Sequence, residues 1–129
     1  LFRERILSYR HDEAKKRLSF RPVKAVFGLE ADGIRLAEGD EYLVLSEGQY
    51  APVAYIPRSC VNMKLLIESE TKSMCPFKGE ASYYSLIDDA GHIISKDIAW
   101  SYEDPIDPAN MLRGHLAFYP NKAFLTETQ

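Results

Sequence analysis

The sequence predicts a mainly β fold, a single compact domain of short antiparallel strands preceded by an N-terminal helical arm. Three observations predict it. Short runs of β-formers recur between turn signals along most of the 129 residues. Ser82 to Ile87 and His92 to Ser95 flank Asp88-Asp89-Ala90-Gly91, the pattern of a hairpin. The first residues instead carry helical spacing and end in a proline.

Residues 2–18 read as helix. Phe2, Ile6 and Tyr9 follow the helical period, and Leu18 continues the stripe imperfectly. Asp12 with Lys16 and Glu13 with Arg17 are acid-before-base pairs that favour a helix slightly. Pro22 is expected to stop it, which divides the chain into a basic helical arm over 1–22 and a β-rich domain over 23–129. Val23 to Phe27 alternates, Ala31-Asp32-Gly33 is a turn, and Ile34 to Ala37 returns, which predicts a hairpin. Glu41 to Leu45 reads as a further strand. Val53 to Ile56, bracketed by Pro52 and Pro57, reads as a strand at a sheet edge or with proline-marked ends. Val61 to Ile67 is another apolar run, and Met74 to Gly79 is a shaped turn, because Pro76 lacks a backbone donor and Gly79 frees the loop. Beyond the second hairpin, Ile98 to Tyr102 predicts a strand. Asp104 to Asn110 predicts a loop with a helical turn opening at Pro108. Leu116 to Tyr119 and Ala123 to Leu125 close the sheet.

Composition narrows the function classes. The hydrophobic fraction is 46% and the charged fraction 27%, the balance of a folded globule rather than a disordered chain. No segment approaches the roughly 20 apolar residues of a membrane helix, and no secretion signal is visible. Two cysteines build no disulfide framework, which points to a reducing, cytoplasmic setting without membrane contact. Charge is uneven. Residues 1–24 hold eight basic and three acidic side chains, and the rest hold eight basic and 16 acidic. A basic arm on an acidic body predicts docking on its own body or on a second copy of the chain. A nucleic-acid role is not expected, because the acidic body would repel phosphates.

Several chemistries lack their residues. Cys60 and Cys75 are far apart, and His11, His92 and His115 lie in different elements, so no zinc site is expected. The seven glycines are isolated and form no phosphate loop, and the serine-elbow motif is missing. Asp88 and Asp89 read as turn residues rather than a metal pair. No cofactor follows from the sequence.

Two signals remain. Cys75 lies in Met74-Cys75-Pro76-Phe77-Lys78-Gly79, and Lys78 and His115 are the cations that could stabilise its thiolate. The second half of the chain is also rich in rings. Tyr83 and Tyr84 are neighbours on a strand and face opposite ways, while Trp100 and Tyr102 share a face. Polar-tipped rings converging with a cysteine, a lysine and a histidine describe a small-molecule pocket.

Four segments, Tyr55-Ile56-Pro57, Cys75 to Tyr84, Ala99 to Pro105 and Gly114 to Tyr119, resemble the signature blocks of domain-of-unknown-function family 427. The resemblance implies a β-rich domain resembling the β-tent fold. That fold is shared with methionine sulfoxide reductase B, glutathione-dependent formaldehyde-activating enzymes and the thalidomide-binding domain of cereblon, which holds its ligand in an aromatic cage. The zinc knuckles common in that fold are missing from this sequence. The family is sometimes labelled nucleotidyltransferase, but the residues of that activity are also missing. The expected site combines Cys75, Lys78 and His115 as candidate catalytic residues with Tyr83, Trp100, Tyr102, Asp104 and Tyr119 as ligand contacts, Asp104 orienting His115 or capping the loop before Pro105. Three functions fit this site: small-molecule binding, cysteine-dependent transfer or thiol redox chemistry with Cys60 as a resolving thiol, and a non-catalytic interaction domain.

Overall fold

The computed structural model describes residues 2–128, with side chains from Ser8 onward, so Phe2 and Ile6 of the predicted helical stripe lie outside the described side chains. Helix α1 spans Phe2–Arg17. The strands are β1 (Leu18–Ala31), β2 (Ile34–Glu47), β3 (Val53–Pro57), β4 (Leu66–Cys75), β5 (Gly79–Ile87), β6 (Ile93–Ser101), β7 (His115–Phe118) and β8 (Phe124–Thr128). They form one antiparallel sheet in the order β4-β5-β6-β7-β3-β2-β1-β8.

The mainly β architecture is as the sequence predicts, but the strands are longer and fewer. The runs at Ile34 and Glu41 are one strand, and those at His92 and Ile98 belong to one strand, β6. Register shifts interrupt their ladders, and such bulges break the alternation that a sequence reading follows. The strand β1 begins at Leu18 and runs through Pro22. Its other partner, β8, pairs only from Val26 onward, so at Pro22 the strand is an edge that tolerates a missing N–H. Val61 to Leu65 is no strand: a 3-10 turn covers Met63–Leu65, and β4 follows through the polar residues Glu68 to Ser73.

The turns are as expected. Asp32 and Gly33 take positive φ between β1 and β2. The Asp88 carboxylate accepts from the N–H groups of Ala90 and His92 at 3.0 and 2.8 Å, and Gly91 has φ 85°. That makes Asp88 a turn cap. A 3-10 helix over Asp107–Leu112 opens with Pro108 in its first turn.

Alternation sends side chains to two apolar clusters. Ile56 of β3 and Leu116 of β7 enter the first, with Phe27, Leu36, Leu86 and Ile98. Their neighbours Tyr55 and Ala117 enter the second, with Leu43, Leu45, Ala81 and Tyr102. Ala14 of α1 and Ala109 and Leu112 of the 3-10 helix close the second cluster. The arm docks on its own chain, and not by the stripe that includes Tyr9, which is exposed. Its contact face is Arg10, Ala14 and Arg17, the i, i+4, i+7 positions. Arg10 donates to the Pro76 carbonyl at 3.0 Å, Ala14 is buried, and the Arg17 guanidinium lies 4.5 Å from the Phe77 ring centroid.

Asp97 supplies an acid-sensitive contact. It has φ 49°, and the hydroxyls of Ser69 and Thr71 both donate to its carboxylate at 2.6 Å. Burial alone would raise its pKa. The two hydroxyls, with Lys96 and Lys122 nearby, outweigh that and hold it below the usual carboxylate value. A carboxylate depressed in the folded state contributes stability above its unfolded pKa of about 3.9, and that stability is lost as pH falls through the folded pKa. The melting temperature of the parent is therefore expected to fall more steeply below about pH 4 than that of Asp97→Asn, whose side chain tolerates the same φ. Thermal unfolding of both chains across acid pH checks this, and parallel curves would contradict it.

Candidate functional site

A cavity of about 240 Å³ opens beside the second cluster. Leu45, Glu47, Tyr50, Ala51, Val53, Tyr55, Lys78, Tyr83, Trp100, Tyr102 and Tyr119 line it. Three pieces of the sheet build it: the end of β2 with the following loop and β3, the β4–β5 hairpin, and β6 with the residue after β7.

Lys78 sits in the tight turn after Cys75. Its own N–H bonds the Cys75 carbonyl at 3.3 Å, and its carbonyl accepts from Ile106 N at 3.0 Å. Gly79 follows with φ 121°, and a Cβ there would stand 3.3 Å from the Asp104 carbonyl oxygen, so the turn can press against the segment before the 3-10 helix only because this residue is glycine. The Lys78 ammonium is directed inward. It meets the Glu47 carboxylate at 2.5 Å, with side-chain exposures of only 12% and 18%, and lies 5.9 Å from the Tyr102 ring centroid.

The rings form a connected wall. Trp100 Nε1 donates to Tyr55 Oη at 3.3 Å, and these two rings meet edge to face at 6.4 Å. Tyr119 also packs against Trp100, with centroids 4.6 Å apart. The Tyr83 hydroxyl bonds Ser73 Oγ at 2.8 Å. Burial pushes the phenols of Tyr55 and Tyr102 well above their ordinary value. Tyr119 is raised by burial and then by Tyr83, and Tyr42, on the opposite face, is raised to about 12 by burial and then by its hydrogen bond to Glu127. A phenol whose folded pKa is raised contributes stability below its unfolded value of about 10, and that stability is lost as pH rises beyond it. Alkaline unfolding is thus expected to begin near pH 10, with four of the eight tyrosines ionising only as the chain unfolds. Tyrosinate absorbance and circular dichroism followed together check this. Ionisation of all eight before any loss of structure would contradict it.

The sequence-predicted residues divide. The cavity brings together Lys78, Tyr83, Trp100, Tyr102 and Tyr119. Cys75 ends β4, half-buried, and packs against the same apolar cluster as Tyr83 and Trp100. Asp104 and His115 stand apart from the cavity lining. Asp104 does not orient His115. Its carboxylate accepts from Arg113 at 3.1 Å, while His115 Nδ1 lies 3.0 Å from the Arg113 carbonyl oxygen. Both cysteines are free, and Cys60 packs against the first cluster, so the fold does not bring it to Cys75 as a resolving thiol. Among the described residues no group of three or more His, Cys, Asp and Glu is arranged to hold a metal ion. No described helix is long and apolar enough to cross a membrane.

Sequence reasoning missed the cavity's lining from β2, the following loop and β3, namely Leu45, Glu47, Tyr50, Ala51, Val53 and Tyr55, and a second polar cluster outside it. There Arg58 donates to both oxygens of Glu103 at 2.9 and 2.7 Å and to Tyr84 Oη at 3.2 Å, and Ser101 Oγ donates to Glu103 at 2.7 Å. Arg58 and Glu103 lie beside or within the signature blocks, and this network ties those blocks to one another. A charge standing next to a β-strand end was the only signal for Glu47, and many surface positions share it.

A family model described as a domain of unknown function, DUF427, matches residues 19–128. The chain belongs to the DUF427 family. The match begins one residue after β1 starts, so it includes all of the sheet but Leu18 and leaves α1 outside. No curated protein matches the chain. The four blocks of this DUF427 domain each send a side chain to the cavity: Tyr55 from the first, Lys78 and Tyr83 from the second, Trp100 and Tyr102 from the third and Tyr119 from the fourth.

Proposed function

We propose that this DUF427 domain binds a small molecule in the cavity walled by Tyr55, Tyr83, Trp100, Tyr102 and Tyr119. The observation that carries the reading is the Lys78–Glu47 pair, drawn out of solvent yet standing at the cavity. A buried ion pair is a poor source of stability, because desolvation of both charges offsets their attraction. Paired charges among rings are instead the orienting polar groups of a ligand site. The volume is below the roughly 300–1,000 Å³ of drug-sized sites, so a single small ring or a short polar head fits it.

Covalent chemistry at Cys75 draws less support. Lys78 is engaged by Glu47, and His115 is engaged at the Arg113 carbonyl, so neither is committed to the thiol. An interaction role for the arm likewise competes with its docking on the β4–β5 turn.

The test is a titration of the labelled chain with benzamide and with benzoate at millimolar concentration, read by amide resonances. The expected result is a saturable shift at Val53, Lys78, Tyr83 and Tyr102, lost in Ala51→Trp, which fills the cavity from an exposed position. Shifts gathered elsewhere, or none at the cavity for either probe, would overturn the reading.

A further inference from the structure

A second cavity, about 380 Å³, is lined only by apolar residues, among them Leu29, Ile56, Phe118 and Leu125. Those four belong to or pack against the first cluster, on the opposite face of the sheet from the Lys78 cavity. Two residues, Val53 and Trp100, line both cavities.

The topology explains how opposite faces can communicate. Pairing between β3 and β7 stops at Tyr55↔Ala117. Beyond it the chain leaves β3, and the Tyr119 N–H turns to the Ile98 carbonyl at 3.0 Å. Val53 therefore has Leu45 of β2 beside it on one side and no strand on the other. The sheet is open at this place, and Val53 and Trp100 stand at the opening.

We propose that the two cavities form one site for an amphiphile, with a polar head at Lys78 and Glu47 and an apolar chain passing Trp100 into the second cavity. The proposal rests on the small-molecule reading above and adds the ligand's class. The head is defined by charge balance. An anionic head would draw Lys78 from Glu47 and leave a desolvated carboxylate uncompensated, and a cationic head would do the reverse. A net-neutral head that both donates and accepts, such as a carboxamide, satisfies both partners while leaving the pair intact. The tail is defined by the second cavity, whose lining offers no ionisable side chain and only one hydrogen-bonding side chain, Trp100, whose Nε1 already donates to Tyr55.

Trp100 is the sole tryptophan of the chain, so its fluorescence reports on both cavities. The experiment titrates the full chain with acetamide, butanamide, hexanamide and octanamide, and with octanoate and octylammonium. The expected result is a Kd that falls about threefold to fourfold per added methylene until the cavity is filled, as apolar burial requires. Octanoate and octylammonium are expected to bind about tenfold or more weakly than octanamide. Phe124→Ala, which removes an exposed ring from the rim of the apolar cavity, should weaken octanamide severalfold and leave acetamide unchanged. Amide binding without dependence on chain length, or without response to Phe124→Ala, would overturn the continuous site and leave the small-molecule reading standing. Tightest binding of octanoate or octylammonium would overturn the neutral head. Absence of binding by the whole series would overturn the proposal, and loss of the benzamide shifts as well would remove the reading beneath it.

Discussion

A Leu116→Ala chain is expected to unfold about 10–25 °C below the parent. Leu116 has no exposed surface and sits in β7, between β6 and β3. Its side chain belongs to the first apolar cluster, with Ile56, Ile98 and Phe118. Leucine-to-alanine changes at such positions cost about 2–5 kcal/mol, from lost transfer energy and from the cavity left behind. The upper half of that range applies, because strands flank β7 on both sides and limit collapse. For a domain of this size each kcal/mol lowers the melting temperature by roughly 3–5 °C. The cavity tyrosines lie on the opposite face of β7 from Leu116, so benzamide binding by the folded fraction should be little changed. A melting-temperature shift under about 3 °C would mean that β7 is not the packed centre of the sheet.

Lys78→Met is the second large effect. It leaves Glu47 with 18% side-chain exposure and no cation. Breaking a fully buried pair costs about 3–5 kcal/mol, and this pair keeps some solvent, so about 2–3 kcal/mol is expected, or roughly 6–15 °C. The diagnostic is the double variant. Adding Glu47→Gln removes the stranded charge and should recover most of the loss, to within about 1 kcal/mol of the parent. Denaturant unfolding of the four chains of the cycle measures this. A double variant as unstable as Lys78→Met would show that Lys78 acts through its methylenes on Tyr102 rather than through its charge.

These two sites show what a reader of the sequence can reach. Leu116 was visible as a β-former in a short run near the C-terminus. Lys78 was visible because a Cys-Pro-Phe-Lys-Gly segment must turn. Their partners were not. Glu47 lies far from Lys78 in the chain, and three strands separate β2 from β5 in the sheet, so only the completed fold brings it to the turn. His115 was grouped with Trp100 as a cation that could converge with the rings and Cys75, yet it is not in the cavity lining. Register shows why the grouping fails: Trp100 pairs with Ala117, whereas His115 is opposite Pro57, farther along β7. The arm misled for a different reason. Its docking face, Arg10, Ala14 and Arg17, contains one small apolar residue between two cations, so a search for a hydrophobic stripe selects Tyr9 instead. The polar β4 strand escaped notice because an outermost strand need not alternate.

That same outermost position has a consequence for self-association. The sheet is a ladder with two ends, β4 and β8, and each end strand presents backbone groups on which a foreign strand could add. Both ends carry exposed charge: Glu68, Glu70 and Lys72 on β4, and Glu127 on β8. Acidic side chains dominate both, so two copies meeting edge to edge repel one another near neutral pH. Acid that protonates these carboxylates removes the repulsion while also weakening the Asp97 contact that holds β4 to β6. The conditions that loosen the first strand of the ladder are thus the conditions that discharge its edge, so any edge-to-edge association of this chain is expected at acid rather than neutral pH.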